Sequence, residues 1–359
     1  MTASRVSLSG ALRQPELLAS LPAREWSDLI RLGRQHDLLG RLACRLEAAG
    51  ILDDAPSAPR AHLDSARLLA AAQHTEVRRE VRRLVRLFEP MGIPVVLLKG
   101  AAYVYAQLPA SAGRTFSDID ILVPKARLPE VEASLMLVGW ATTHHSVYDQ
   151  NYYRKWMHEL PPMQHTRRGV VLDVHHSILP ETARLKTDAG KLLEAAKPIA
   201  DVLGLYLLDP VDIVLHSMTH LFCNEEFSHG LRDISDIDLL LRHFGQQETF
   251  WKYLPERAKE MGLGRPLYYG LLQASKILGC PVPAATWQRV SAFAPLRPVD
   301  VLMSRLWHRA LDPTRNAEGS WKEAAVNLLL LVRAHWLRMP PLLLFGHLLF
   351  RVSRILFNR

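Results

Sequence analysis

Two acidic residues stand out by their spacing. In Ser117-Asp118-Ile119-Asp120-Ile121-Leu122-Val123, carboxylate and aliphatic side chains alternate with the two-residue period of a β-strand. Asp118 and Asp120 then share one face, and Ile119 and Ile121 point into a core. Carboxylates two residues apart on a strand lie roughly 6–7 Å from one another. They repel unless a cation sits between them. A hard divalent ion taking oxygen ligands relieves that repulsion.

The flanking chain supplies elements able to present this pair. After Pro94, the run Val95 to Leu98 has the apolar, β-branched character of a buried strand and stops at Lys99-Gly100. The alanine-rich stretch Ala101 to Gln107 follows as a helix, and a loop with Gly113 and Arg114 leads to the acidic strand. Arg167-Arg168-Gly169 reads as a hairpin turn into Val170–Val174, a strand that places Asp173 and His175 on one face.

At these residues the chain resembles the nucleotidyltransferase superfamily typified by DNA polymerase beta. That family has a strand, a glycine turn, a helix and a strand bearing Asp-x-Asp, with a third carboxylate on a later strand. The nearer resemblance is to a bacterial branch with Leu-Lys-Gly at the turn and Arg-x-x-x-Asp-x-Asp-x-Leu-Val on the strand. Both stand here, as Leu98-Lys99-Gly100 and as Arg114 through Asp118 and Asp120 to Leu122-Val123; Asp173 matches the third acid.

The resemblance implies an α+β protein, a nucleotidyltransferase-fold mixed β-sheet core embedded in a mostly helical chain. It also implies transfer of an NMP from an NTP to an unidentified hydroxyl-type acceptor, with release of pyrophosphate. In that scheme Asp118, Asp120 and Asp173 ligate Mg²⁺ or Mn²⁺, and Asp173 helps deprotonate the acceptor. Lys99, Gly100, Arg114 and Ser117 surround the nucleotide. Gly100 has no side chain, so its backbone N–H can approach a phosphate. The superfamily pattern has Gly-Ser at this turn; Lys99-Gly100-Ala101 offers no hydroxyl, which leaves phosphate binding to Lys99 and Arg114. Plainer readings stay open beside these. Lys99 also fits a solvated strand-end charge, Arg114 a bridge to Asp118 or a loop cap, Gly100 an ordinary turn glycine and Ser117 a mere flank. His175 fits a contact to the acceptor and a satisfied histidine beside the sheet equally well.

The 359 residues suffice for one large or two to three small domains with ample core. We divide them into an N-terminal helical region (1–90), a catalytic core (91–200) and a C-terminal helical domain (201–359). Apolar residues at 48% and charged residues at 22% are the proportions of a folded soluble protein. Cys44, Cys223 and Cys280 are scattered without metal spacing, and the N-terminus lacks a continuous apolar run of the signal-peptide kind. A reduced, cytoplasmic setting follows. The net charge of +8 suggests polyanionic company, with the NTP as the expected partner. Nucleic acid is the less favoured alternative, because the basic residues are mostly arginines on helical patterns without interleaved aromatics.

Along the chain, Trp26, Leu29, Ile30, Leu38, Leu39, Leu42 and Leu46 recur at helical spacing over residues 25–49, closed by Gly50. Asp53 to Arg60 is a connector, and a long helix spans about Ala61 to Glu89. The arginines of its second half, Arg78, Arg79, Arg82, Arg83 and Arg86, fit surface stems better than a phosphate- or RNA-contacting face. Pro124 to Val138 reads as a helix and Gly139 to Ser146 as a strand; Tyr148 to His165 has no clear assignment.

Past Pro210 the pattern is helical. His216 and His220 stand at i and i+4, without the intervening glutamate of a zinc helix, so packing or substrate contact is the favoured role. Ser235-Asp236-Ile237-Asp238 nearly copies the acidic strand, but Leu231, Ile234, Ile237, Leu241 and Phe244 follow a helical period. On a helix, Asp236 and Asp238 point about 200° apart and cannot chelate one ion. Arg232, Asp233 and Asp236 can instead line a cleft facing the catalytic strands. The tail 321–359 is apolar and basic, with uncharged runs too short to span a bilayer. It either packs as terminal helices, the favoured reading, or touches a membrane surface. A toxin-type or tRNA-modifying transferase and a catalytically idle nucleotide-binding protein remain as alternatives. A binding module has no need of three clustered acids, which argues against the idle one.

Overall fold

The structure is a computed structural model that describes residues 6–143, 147–200, 202–224, 227, 229–312, 321–341 and 344. Seven strands form one mixed sheet: β1 (Val95–Leu97), β2 (Asp118–Leu122), β3 (Trp140–Thr142), β4 (Met163–His165), β5 (Val171–His175), β6 (Lys197–Pro198) and β7 (Leu205–Leu207). Their order across the sheet is β3-β4-β5-β2-β1-β7-β6. The central pair β2 and β5 runs parallel, with Asp120 opposite Asp173 and Asp118 opposite Val171. β1 pairs antiparallel with β2 on one side and parallel with β7 on the other.

The strands form where β-branched and leucine side chains supply an apolar face to bury, while β2 and β5 keep their acids together on the other. Val95, Val96, Leu97, Ile119, Ile121 and Leu122 are all buried, as central strands covered by helices require. The rest of the described chain is mostly helical, which makes the protein α+β, as expected. Apolar side chains from the sheet and from helices on both sides of it in sequence belong to one continuous core.

Several elements differ from the sequence reading in informative ways. The helical run over 25–49 is two helices, Ala23–Gln35 and Leu39–Ala48. They break at Asp37, which takes a left-handed backbone (φ 53°). The Asp37 carboxylate sits 2.8 Å from Nδ1 of His229, far along the chain, and no local period encodes that partner. The connector after Asp53 is shorter than expected, because the long helix starts at Ser57 and runs to Phe88. Pro59 lies in its first turn, where the absent N–H costs nothing. The expected strand over Gly139–Ser146 is confined to Trp140–Thr142, and residues 144–146 lie outside the described residues. Within the unassigned stretch, Val147–Trp156 is a helix and Met163–His165 is β4, joined through the expected Arg167–Gly169 turn to β5.

Among the described residues no helix is long and apolar enough to cross a membrane. The tail helix Trp321–Arg338 buries Leu330, Ala334, His335 and Arg338. Arg333 donates to the Phe222 carbonyl and Arg338 to Asn224 Oδ1, so this part of the tail packs. The remainder of 321–359 lies outside the described residues apart from 339–341 and 344.

Candidate active site

β1 delivers the chain to Leu98, whose N–H donates to the Asp120 carbonyl at 3.0 Å. The next residue, Lys99, turns into a left-handed backbone (φ 43°) and starts the short helix Lys99–Tyr105. That turn folds the lysine back over β2. Its Nζ donates to Asp120 Oδ1 at 2.7 Å, and its side chain is only 18% exposed. The solvated strand-end reading of Lys99 therefore fails: the neighbouring strand's carboxylate draws the ammonium inward. Burial disfavours its charge, yet the carboxylates of Asp120 and Asp118 outweigh that and hold Lys99 above the ordinary lysine range.

Parallel register places Asp120 and Asp173 side by side on one face of the sheet. Burial pushes Asp120 up, but Lys99 and His175 prevail and hold it well below the usual carboxylate range. Asp173 has no such partner. Burial, reinforced by Asp120, Glu159 and Asp118, pushes it up to about 8, and its buried Oδ1 makes no hydrogen bond. Asp118 is also raised, first by burial and then by Asp120. His175, buried, turns Nε2 to Asp120 Oδ1 at 2.9 Å and Nδ1 to Glu159 Oε2 at 3.1 Å. Burial opposes its charge, but Glu159 and Asp120 raise its pKa above the ordinary value.

Donor atoms of Asp120, Asp173 and His175 all lie within 4.8 Å of one another, close enough to hold one cation. Asp118, of the three acids expected at a metal, is not in that cluster; it lines the adjoining cavity. An unsatisfied buried carboxylate oxygen beside two further acids fits a hard divalent cation.

The cavity, about 340 Å³, opens beside Lys99, Gly100, Ser117, Asp118 and Asp120. Tyr103, Arg114 and Phe116 extend the wall. The far side comes from the helices Pro210–Cys223 and Gly230–Phe244, through Ser217, His220, Arg232, Asp233 and Asp236. Gly100 is required by packing, because a Cβ there would overlap the Phe116 ring and crowd Arg114 Nη1.

Arg114 does not bridge to Asp118; its guanidinium holds the loop before β2 through Nη1, which donates to the Thr115 carbonyl at 3.4 Å, and it also reaches a more distant acid. Its Nε donates to Asp236 Oδ2 at 2.8 Å, and Arg41 Nη2 approaches Asp236 Oδ1 at 2.6 Å. All three side chains are less than a tenth exposed. Burial raises Asp236, but Arg41 and Arg114 overcome it and hold the carboxyl below its usual range. The second Asp-x-Asp is thus helical, as its period implied, and splits its duties. Asp236 clamps two arginines behind the cavity, while Asp238 faces Arg242.

His216 and His220 belong to no candidate metal cluster among the described residues. His220 lines the cavity, 3.9 Å from Asp233, and His216 is buried, with burial pushing it down to about 3. Sequence reasoning missed Glu159, Phe116, Tyr103 and Arg41. Phe116 and Tyr103 lie beside the acidic strand and on the helix after the turn, where no periodicity marks them, whereas Arg41 and Glu159 reach the site by long-range packing.

With this geometry described, one comparison decides the assignment. A family model described as "Uncharacterised nucleotidyltransferase" matches residues 22–279, well over half of the chain. The chain belongs to this nucleotidyltransferase family. The match takes in the turn, all three strand acids and the Gly230–Phe244 helix. No curated protein and no solved structure matches the chain.

Proposed function

We propose that this family member transfers a nucleoside monophosphate from an NTP to a hydroxyl-type acceptor and releases pyrophosphate, with Mg²⁺ or Mn²⁺ as cofactor. The observation that carries the reading is the in-register pair Asp120 and Asp173, one oxygen of which is buried without a partner, beside a lysine and a nucleotide-sized cavity. Asp120 and Asp173 would hold the cation, joined by Asp118 from the cavity wall. Such a cation, when bound, neutralises phosphate charge and orients the reacting oxygens.

The chain's own groups account for the remaining steps. Lys99, already charged and aimed along the acidic face, binds phosphate oxygens from the turn side. Arg114, held by Asp236 and by the Thr115 carbonyl, gives the cavity wall a fixed positive charge. Phe116 and Tyr103 give an aromatic wall against which a base can lie. Asp173 takes the acceptor hydroxyl's proton. A bond forms between the acceptor oxygen and the α-phosphorus as the α–β phosphoanhydride bond breaks, and pyrophosphate leaves with the electron pair.

In this reading residues 91–200 are the catalytic core, and the helices after 201 close the cavity. Arg78 and Arg83 of the long helix bind the Val104 carbonyl and Glu80, so they lend no support to an RNA acceptor. Purified protein incubated with each α-labelled NTP, Mg²⁺ or Mn²⁺ and cell extract should transfer label to an acceptor. The Asp118→Asn/Asp120→Asn variant should not. Equal labelling by that folded variant would overturn the reading.

A further inference from the structure

A second group of donors lies on the opposite edge of His175. The segment His158–Leu160 runs alongside β5: His176 N–H donates to the His158 carbonyl at 2.8 Å, and Leu160 N–H donates to the Val174 carbonyl at 2.9 Å. Glu159 faces His175 in an isolated antiparallel bridge. This pairing brings two imidazoles and a carboxylate together. One donor atom each from His158, Glu159 and His175 lie within 4.8 Å of one another, and the two rings are 5.3 Å apart.

These donors are poorly satisfied within the protein. His158 is 9% exposed, and its buried Nδ1 has no hydrogen-bond partner. Nδ1 of His175 approaches Glu159 Oε2 to 3.1 Å but also lacks a hydrogen bond. Two buried imidazole nitrogens without hydrogen bonds, one of them facing Glu159, are costly. A shared ligand removes that cost.

We propose that His158, Glu159 and His175 form a second metal site, selective for a borderline divalent ion such as Zn²⁺ and adjoining, through His175, the acidic site on the sheet face. Nitrogen donors favour such an ion over Mg²⁺, and three protein ligands leave one tetrahedral position open. The ligating histidine already has its outer partner, since Asp120 Oδ1 lies 2.9 Å from His175 Nε2. A carboxylate on the far nitrogen is the usual device that orients a metal-bound imidazole. Glu159 also lines a surface cavity of about 190 Å³, which provides an entry path. The ion would pin the 158–160 segment to β5 and lock the ring that orients Asp120.

The test titrates metal-stripped full-length protein with Co²⁺ in excess Mg²⁺, which occupies the carboxylate site. We expect one bound equivalent, with the visible absorption of a nitrogen-and-oxygen site, displaced by Zn²⁺. His158→Gln and Glu159→Gln should each weaken Co²⁺ binding by about 100-fold or more, at or beyond the upper end for outer-shell partners. Asp118→Asn should leave it unchanged. Failure of the wild type to retain Co²⁺ or Zn²⁺, or undiminished binding in both folded variants, overturns the proposal. If the variants do not fold, zinc X-ray absorption of the wild type decides: two imidazoles in the shell are expected, and an all-oxygen shell overturns it. Metal retention is the readout, so the result does not depend on whether the chain transfers nucleotides.

Discussion

Lys99 donates to Asp120 across 2.7 Å and so joins the residue that ends the first strand's turn to the acid at the centre of the second strand. The lysine adopts a left-handed backbone to do so, at a cost of roughly 1–2 kcal/mol for a residue with a side chain. The ion pair offsets that strain. One ammonium thus settles the acidic face before any ligand arrives and is in place to meet phosphate charge.

Replacing Lys99 with Met keeps the stem and removes the charge, leaving Asp120 with only His175 beside it. In chelator, stability should fall by roughly 1.5–3 kcal/mol, the range of a charge-assisted hydrogen bond. Added Mg²⁺ should raise the melting temperature of Lys99→Met more than that of wild type, because the cation supplies the missing charge. ATP affinity measured by calorimetry should also fall about ten- to a hundred-fold. Unchanged stability in chelator would show that the pair contributes nothing.

Asp173 makes the metal-free protein pH-sensitive. Its carboxyl is raised from 3.8 to about 8 in the folded chain, so folding favours the protonated form. The resulting stability is complete below the unfolded value and is lost as pH rises through the folded one. Urea melts in chelator should therefore weaken between mildly acidic buffer and pH 8, and Asp173→Asn should flatten that slope. Mg²⁺ competes with the proton at this carboxyl, so its apparent affinity should rise over the same window in wild type.

The two acids of the helical Asp-x-Asp should behave oppositely. Asp236→Asn leaves Arg41 and Arg114 buried without their counter-charge and should cost about 3–5 kcal/mol. Asp238→Asn breaks a pair whose arginine is 41% exposed and should stay within about 1 kcal/mol. Chemical denaturation of the two variants, followed by circular dichroism, checks the contrast.

Gly100→Ala should force the Phe116 ring and the Arg114 guanidinium out of place. We expect a destabilisation of about 1–3 kcal/mol, as for an overpacked core, together with weaker nucleotide binding. Phe116→Ala in the same chain should restore much of both by clearing the space. If the double variant binds no better than Gly100→Ala, Phe116 is not the obstacle.

Features whose cause is local were legible in the amino-acid order. Alternation over Asp118–Leu122 specified a strand with both acids on one face, and the helical period over Leu231–Phe244 overrode a near-identical Ser-Asp-Ile-Asp string. A side chain's face depends on its neighbours two to four residues away, so periodicity carries it. What Asp236 does with its buried charge was decided only by the fold, because Arg41 and Arg114 approach it from 195 and 122 positions away. The same holds for the inward turn of Lys99 and for Glu159 at His175. Each depends on which strands become neighbours, and that order is set by burial of the whole core rather than by any short run of residues.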